Sequence, residues 1–196
     1  MHDMMIPAGM TSKLVRVKDP GNEDFRISEV ADKLKLINPT PVIILAGAMT
    51  QRAGKTLAGV ARAAFRADAT IIDSGIGSGI EKFCIRKRIP FFGVAPDECI
   101  QYPRLSQEAP KDNELTNGHS HFVLIGDKEA QESYKKNKKG ERPKSFEWGD
   151  ETYVKFDLAK RIAAGRNKKN GGPPCKIVTV LLGDNAKCAK EIEHSL

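Results

Sequence analysis

A chain of 196 residues, 40% of them hydrophobic, can bury one sizeable core, whereas two domains of half that length would each be marginal. Its 32 basic and 25 acidic residues leave a formal net charge of +7, which suits an anionic partner; because the two signs are mixed, a small anion fits at least as well as a nucleic acid. No run of about 18 apolar residues and no signal-peptide pattern occurs, so direct membrane insertion is excluded by this reading and a cytoplasmic location is expected.

The first dozen residues hold four methionines and no periodicity, and read as a flexible arm, 1–12. "KLVRV" from 13 to 17 makes a short strand and "DPGNED" a turn cluster. Ile27, Val30, Leu34 and Ile37 have helical spacing, and "NPTP" stops that helix. From Val42 onward, short apolar runs alternate with helical stretches, the pattern of a parallel sheet covered on both faces. The strands are "VIILA", "ATIIDS", "PFFGVA", "HSHFVLIGD" and "CKIVTVLLG"; the helices between and after them are "KTLAGVARAAF", "SGIEKFCIRK", "ETYVKFDLAKRIAAG", with Asp150 placed to cap it, and "AKCAKEIEHSL". The fold class is therefore α/β, a Rossmann-like doubly wound, mainly parallel sheet with helices on both faces, in a single domain spanning 13–196. A basic stretch at about 127–149, "KEAQESYKKNKKGERPKSFEWG" at its heart, is almost free of aliphatic residues. It reads as a solvated, mobile insertion or as a lid over the ligand crevice, and Trp148 at its end either packs on the core or stacks on a base.

In such a sheet, ligands bind beyond the carboxyl ends of the strands, and the glycines gather there. "ILAGAMTQRAGKTLAGV" nearly spells a phosphate loop, but Gly54-Lys55-Thr56 would need glycine at position 49, where Met49 stands. Gly47 still allows a phosphate or ribose to approach the backbone, Arg52 and Lys55 are flanking contacts, and Gly54 opens the helix. "IIDSGIGSGIEKF" runs Gly75, Gly77 and Gly79 from a strand into a helix, which converges amides and helix dipole on one point. Its spacing differs from the dinucleotide fingerprint, and about 20 positions on the chain reads "PDEC", with no clear acid for a ribose. His119 and His121 flank a strand start without a third metal ligand nearby; they read as hydrogen-bonding the loop, with His119 also placed to touch a ligand. Cys84, Cys99, Cys175 and Cys188 form no Cys-x-x-Cys pair, so neither zinc site nor disulfide framework is indicated, and no cofactor or metal is expected.

Four stretches together resemble the SLOG superfamily, in the branch shared by TRPM channel N-terminal regions and their prokaryotic relatives. "SKLVRV" with the later "PTPVIILAGA" is similar to the opening strand and first glycine turn of the TRPM region. "ATIIDSGIGSGIEK" resembles its second glycine turn, "ELTNGHSHFVLIGD" its Asn-His-Ser-His-Phe stretch, and "WGDET" the helix start of the prokaryotic branch. The resemblance runs from about residue 13 to the C-terminus. It implies a Rossmannoid sensor of nucleotide-derived ligands such as ADP-ribose, reporting to an effector in stress or conflict responses. Carried over by position, it implies ligand contacts from Gly47, Ala48 and Thr50, from Ser74, Gly75, Gly77, Ser78 and Gly79, from Gly93 and Ala95, and from Gly183, Asp184 and Asn185.

The related phosphoribohydrolases use Pro-Gly-Gly-x-Gly-Thr and a glutamate, where this chain reads "LLGDNAKCAKEIE". Glu191 and Glu193 there read as a solvated helix face, and the reading favours a non-catalytic binding domain over hydrolysis of nucleoside monophosphates. A nucleic-acid binder, supported by the basic insertion, ranks behind both. TRPM regions continue into a further strand, so the chain is read as a shortened domain or as one whose sheet a partner completes. The partners expected are a nucleotide-derived small molecule and an effector protein or a second copy.

Overall fold

The structure is a computed structural model that describes residues 2–5, 11–22, 25–47, 53–103, 113–138, 140, 142–165, 174–183 and 191–193. Its strands are β1 (His2–Met5), β2 (Thr11–Val17), β3 (Val42–Ala46), β4 (Thr70–Asp73), β5 (Phe91–Pro96), β6 (His121–Ile125) and β7 (Ile177–Leu181). Its helices are α1 (Ile27–Lys33), α2 (Gly54–Arg66), α3 (Glu81–Lys87), α4 (Lys128–Asn137) and α5 (Thr152–Ala164). The strands form one sheet in the order β1-β2-β6-β5-β4-β3-β7. From β2 to β7 every pairing is parallel, and β1 alone runs antiparallel, against β2. The expected doubly wound α/β architecture is thus the one observed.

The apolar runs explain the layering. In β4 and β5 every residue is buried, as strands covered on both faces require. One face carries α1 and α5, whose Val30, Leu34, Val154, Leu158 and Ile162 pack with Val42, Ile44, Ile72, Phe92 and Val123 of the sheet. The other carries α2 and α3, where Leu57, Ala61, Ala64 and Cys84 meet Leu45, Ile71 and Phe91. Small residues at 61 and 64 let α2 approach closely. Burial pushes the Cys84 thiol up to about 12, and Cys84, Cys99 and Cys175 are free thiols.

Three local readings change. Residues 2–5, placed in a flexible arm by composition, form β1 because the edge of β2 offers unpaired backbone groups. The basic insertion contains α4, which Asp127 caps by accepting from the Ala130 amide at 3.0 Å. Gln131 is buried and donates to the Pro143 carbonyl at 2.6 Å, and Phe146 enters the core. Trp148 packs beside a small cluster formed by Leu14, Ala95, Ile100, Leu115, Phe122 and Leu124. Asp150 does not cap α5: it accepts from the Glu147 amide at 2.9 Å, and Glu151 stands at the cap position. Of the expected last helix only 191–193 lie among the described residues, and these are helical.

One backbone contact fixes how the strands meet. A Cβ at Gly93 would lie 2.5 Å from the Gly75 Cα and 2.8 Å from Phe122, distances no side chain tolerates without moving the backbone. Gly93→Ala is therefore expected to destabilise the fold by about 1–3 kcal/mol, the range for overpacking a tight interior. Urea unfolding of the variant against the parent measures it, and an unchanged midpoint would refute the contact.

Candidate functional site

The carboxyl ends of β3 and β4 lie side by side, with α2 leaving on one face and α5 starting on the other. Gly47 directly follows β3, and its φ of 90° suits glycine. Its amide donates to Glu191 Oε2 at 2.8 Å, and the other oxygen, Oε1, accepts from Lys155 Nζ at 2.5 Å. Lys155 is 1% exposed and Glu191 8%. Glu191 is thus not part of a solvated face, as the sequence suggested, whereas Glu193 is exposed. A buried ammonium is costly unless paired and hydrogen-bonded, and Glu191 supplies that pairing. Glu151, one turn earlier on α5, accepts from the Gly149 amide at 2.7 Å. Burial raises its pKa and the nearby Lys155 charge opposes that rise.

After β4 the chain turns through Ser74–Gly79. Asp73 Oδ1 accepts from the Gly75 amide at 2.7 Å and from His119 Nε2 at 2.8 Å. Asp73 Oδ2 is buried with no hydrogen-bond partner among the described residues. The His119 ring stacks on Phe91 at 3.8 Å between centroids, and its Nδ1 faces the Thr116 carbonyl at 3.2 Å. Glu81 Oε1 accepts from the Ser78 amide at 2.6 Å and from Thr116 Oγ1 at 3.3 Å. The Ser78-x-x-Glu81 spacing is that of a capping box, here with its carboxylate half formed. Gly118, at φ 106°, lets this loop lie against α3, since a Cβ there would sit 2.8 Å from that of Glu81.

The residues expected to contact a ligand therefore divide. Gly47, Ser74, Gly77, Ser78 and Gly79 gather at the ends of β3 and β4; Gly77 and Gly79 are exposed, and a Cβ at Gly77 would meet only Thr116 Cγ2 at 3.6 Å. Lys55 is exposed on the first turn of α2, and Gly183 is exposed just after β7. Gly75, Gly93, Ala95 and His119 are buried and hold the turn rather than face outward. Their glycines serve the close approach of two strands, and the histidine serves a carboxylate. Ala48, Thr50, Arg52, Asp184 and Asn185 lie outside the described residues.

This geometry, a parallel sheet with glycine turns at adjoining strand ends, can be set beside known families. The family described as SLOG in TRPM, prokaryote, matches residues 40–196. The chain belongs to that family. It is accordingly a SLOG domain, built to bind a nucleotide-related ligand. None of the curated proteins compared with it matches the chain. The match begins just before β3, so β1, β2 and α1 precede the matched region, yet β2 is a full parallel member of the sheet. Among the described residues no helix of the SLOG domain is long and apolar enough to cross a membrane.

Sequence reasoning missed two clusters in this domain. Lys155 was legible in part: it stands three, four and seven residues before Leu158, Ala159 and Ile162, all buried, so the helical period places it on the apolar stripe. The second cluster surrounds Asp97, fully buried just beyond β5. Arg16 Nε lies 2.9 Å from Asp97 Oδ2, Arg16 Nη2 donates to the Tyr102 hydroxyl at 2.7 Å, and that hydroxyl donates to Asp97 Oδ1 at 2.5 Å. Burial and Asp97 together push the Tyr102 phenol well up. This cluster ties the end of β2 to the end of β5, and no spacing in the sequence signals it.

His121 lies at the opposite, amino end of the sheet and stacks on Phe92 at 4.3 Å. Burial, with a smaller contribution from Lys13, lowers its pKa to about 4. The unfolded chain, with histidine near 6.5, then binds more protons than the folded one between about pH 4 and 6.5, so this group's contribution falls as pH drops through that window. The loss is on the order of 2–3 kcal/mol. Urea unfolding at pH 7 and pH 5 should show a smaller acid-side loss for His121→Gln than for the parent; equal losses would refute the assignment.

Proposed function

We propose that this SLOG domain is a sensor that binds an anionic nucleotide derivative of the ADP-ribose class across the ends of β3 and β4. The observation that carries this reading is the exposed backbone at Gly77 and Gly79, beside Gly47 at the end of the neighbouring strand. Backbone without side chains, at the carboxyl edge of a parallel sheet, lets a phosphate or ribose come within hydrogen-bond reach. The net charge of +7 favours an anion.

Binding without turnover is supported by what the nearby acids do. Asp73 holds the Gly75 amide and His119 through Oδ1, and Glu81 holds the Ser78 amide and Thr116 through Oε1. General acid–base work on a ribosyl bond needs a carboxylate within reach of the reacting atoms, and each of these holds the loop through one oxygen. The reading assigns the signal to an effector protein or a second copy, in a prokaryotic stress or conflict response. In its support, β7 is an edge strand among the described residues, with Val178 53% and Leu181 42% exposed, apolar area that a docking chain would cover.

Calorimetric titration of ADP-ribose, cyclic ADP-ribose, NAD and AMP tests the reading. At least one is expected to bind, and Gly77→Asp is expected to weaken it by about tenfold or more, roughly 1.4 kcal/mol. A Cβ at 77 would meet only Thr116 Cγ2 at 3.6 Å, an ordinary van der Waals contact, so the unfolding midpoint should stay unchanged. No heat with any of the four, or a Gly77→Asp variant that binds as the parent does, would overturn it.

A further inference from the structure

The amide of Gly47, read from the sequence as a phosphate contact, already holds an anion, and that anion belongs to the protein. The two oxygens of Glu191 bridge the Gly47 N–H at 2.8 Å and the Lys155 ammonium at 2.5 Å. We propose that Gly47 N–H and Lys155 Nζ form an anion subsite for a phosphate group, and that Glu191 is its internal occupant, displaced when the ligand binds. This assignment rests on the reading of the β3 end as part of a nucleotide site, and adds to it the residue that holds the phosphate and the segment that must move.

Three features carry it. Lys155 is almost without solvent contact, so if Glu191 leaves, only another anion can replace it without stranding a buried charge. A neutral nucleoside therefore cannot occupy the subsite, and a phosphate can. Gly47 stands where a doubly wound sheet receives its ligands, with helices α2 and α5 on opposite faces. A cavity of about 530 Å³ opens at the start of α5, its lining including Gly21, Lys144, Gly149, Asp150, Tyr153 and Glu193. That size is ordinary for a small-molecule site, and Glu193 places the segment bearing Glu191 on its rim. Displacement of Glu191 thus converts phosphate binding into movement of residues 191–193, a change that a partner can read.

The test uses the full chain as parent, as Glu191→Gln and as the double variant Lys155→Met with Glu191→Leu. Inorganic pyrophosphate, AMP and adenosine are titrated by calorimetry, and hydrogen exchange is followed in the peptide containing Glu191. Removing the competing carboxylate raises the fraction of open subsite, so Glu191→Gln should bind pyrophosphate and AMP about tenfold more tightly than the parent, while adenosine gains nothing. In the parent, AMP should increase exchange at Glu191. The double variant exchanges the ion pair for apolar side chains, a replacement folds commonly tolerate, and should unfold cooperatively while losing its response to pyrophosphate. If Glu191→Gln does not fold, Glu191→Asp, whose shorter arm holds the subsite less well, should show the same direction of change. Nucleotide binding with equal affinities for parent and Glu191→Gln, or with no change in exchange at Glu191, would overturn this inference and leave the proposed function standing. Tighter pyrophosphate binding by Glu191→Gln with no nucleotide bound by any form would uphold the subsite and overturn the nucleotide reading. No anion bound by any form would overturn both.

Discussion

Asp73 is the constraint on which the upper half of the structure depends. One oxygen of this buried carboxylate takes the amide of Gly75, two residues on, and the imidazole of His119, 46 residues away. The first bond bends the chain sharply at the end of β4. The second pins the loop before β6 over that bend, where Phe91 stacks beneath the histidine. Because the turn is pressed down, Gly75 meets Gly93 backbone to backbone, and β4 and β5 close without room for a side chain. A carboxylate, an imidazole and two missing Cβ atoms thus define the packed base of the turn, while Gly77 and Gly79 are exposed above it.

The same economy of anions recurs at each glycine turn. The amides of Gly47, Gly75 and Ser78 would suit a phosphate, and each donates instead to a carboxylate of the protein. For Gly75 and Ser78 the acid is local, two or three residues away, and the pairing shapes the turn itself. For Gly47 the acid comes from 144 residues along the chain and is held by a buried lysine. A local partner serves geometry; a distant one couples two parts of the molecule. That difference is what separates a structural turn from one that can transmit occupancy.

The polar network at Asp97 has a comparable structural role on the other side of the sheet. Arg16 and Tyr102 satisfy a carboxylate with no solvent contact, and Lys128 joins through its backbone amide at 3.2 Å. The start of α4 is thereby fixed to the end of β5, which is why a stretch poor in aliphatic residues nonetheless forms an ordered helix. Charged side chains supply there what apolar burial supplies elsewhere.

By itself the sequence determined the sheet and its helices. Short unbroken apolar runs such as "VIILA" and "PFFGVA", rich in β-branched and aromatic residues, read as strands buried on both faces, and the period of Leu57, Ala61 and Ala64 reads as one face of a helix. It determined the glycine turns after β3 and β4 too, since glycines placed just after strands need no long-range information to be recognised. Local signals were weaker where partners are remote. β1 exists because the edge of β2 accepts it, α4 because Asp127 and Asp97 hold its start, and Glu191 is buried because Lys155 stands 36 residues away on another helix. Tertiary structure alone decided which glycines are exposed and which face another strand. Hydrophobic periodicity is written along the chain, but the partner of a buried charge or a bare amide is chosen by folding, because burial makes pairing obligatory without naming the partner.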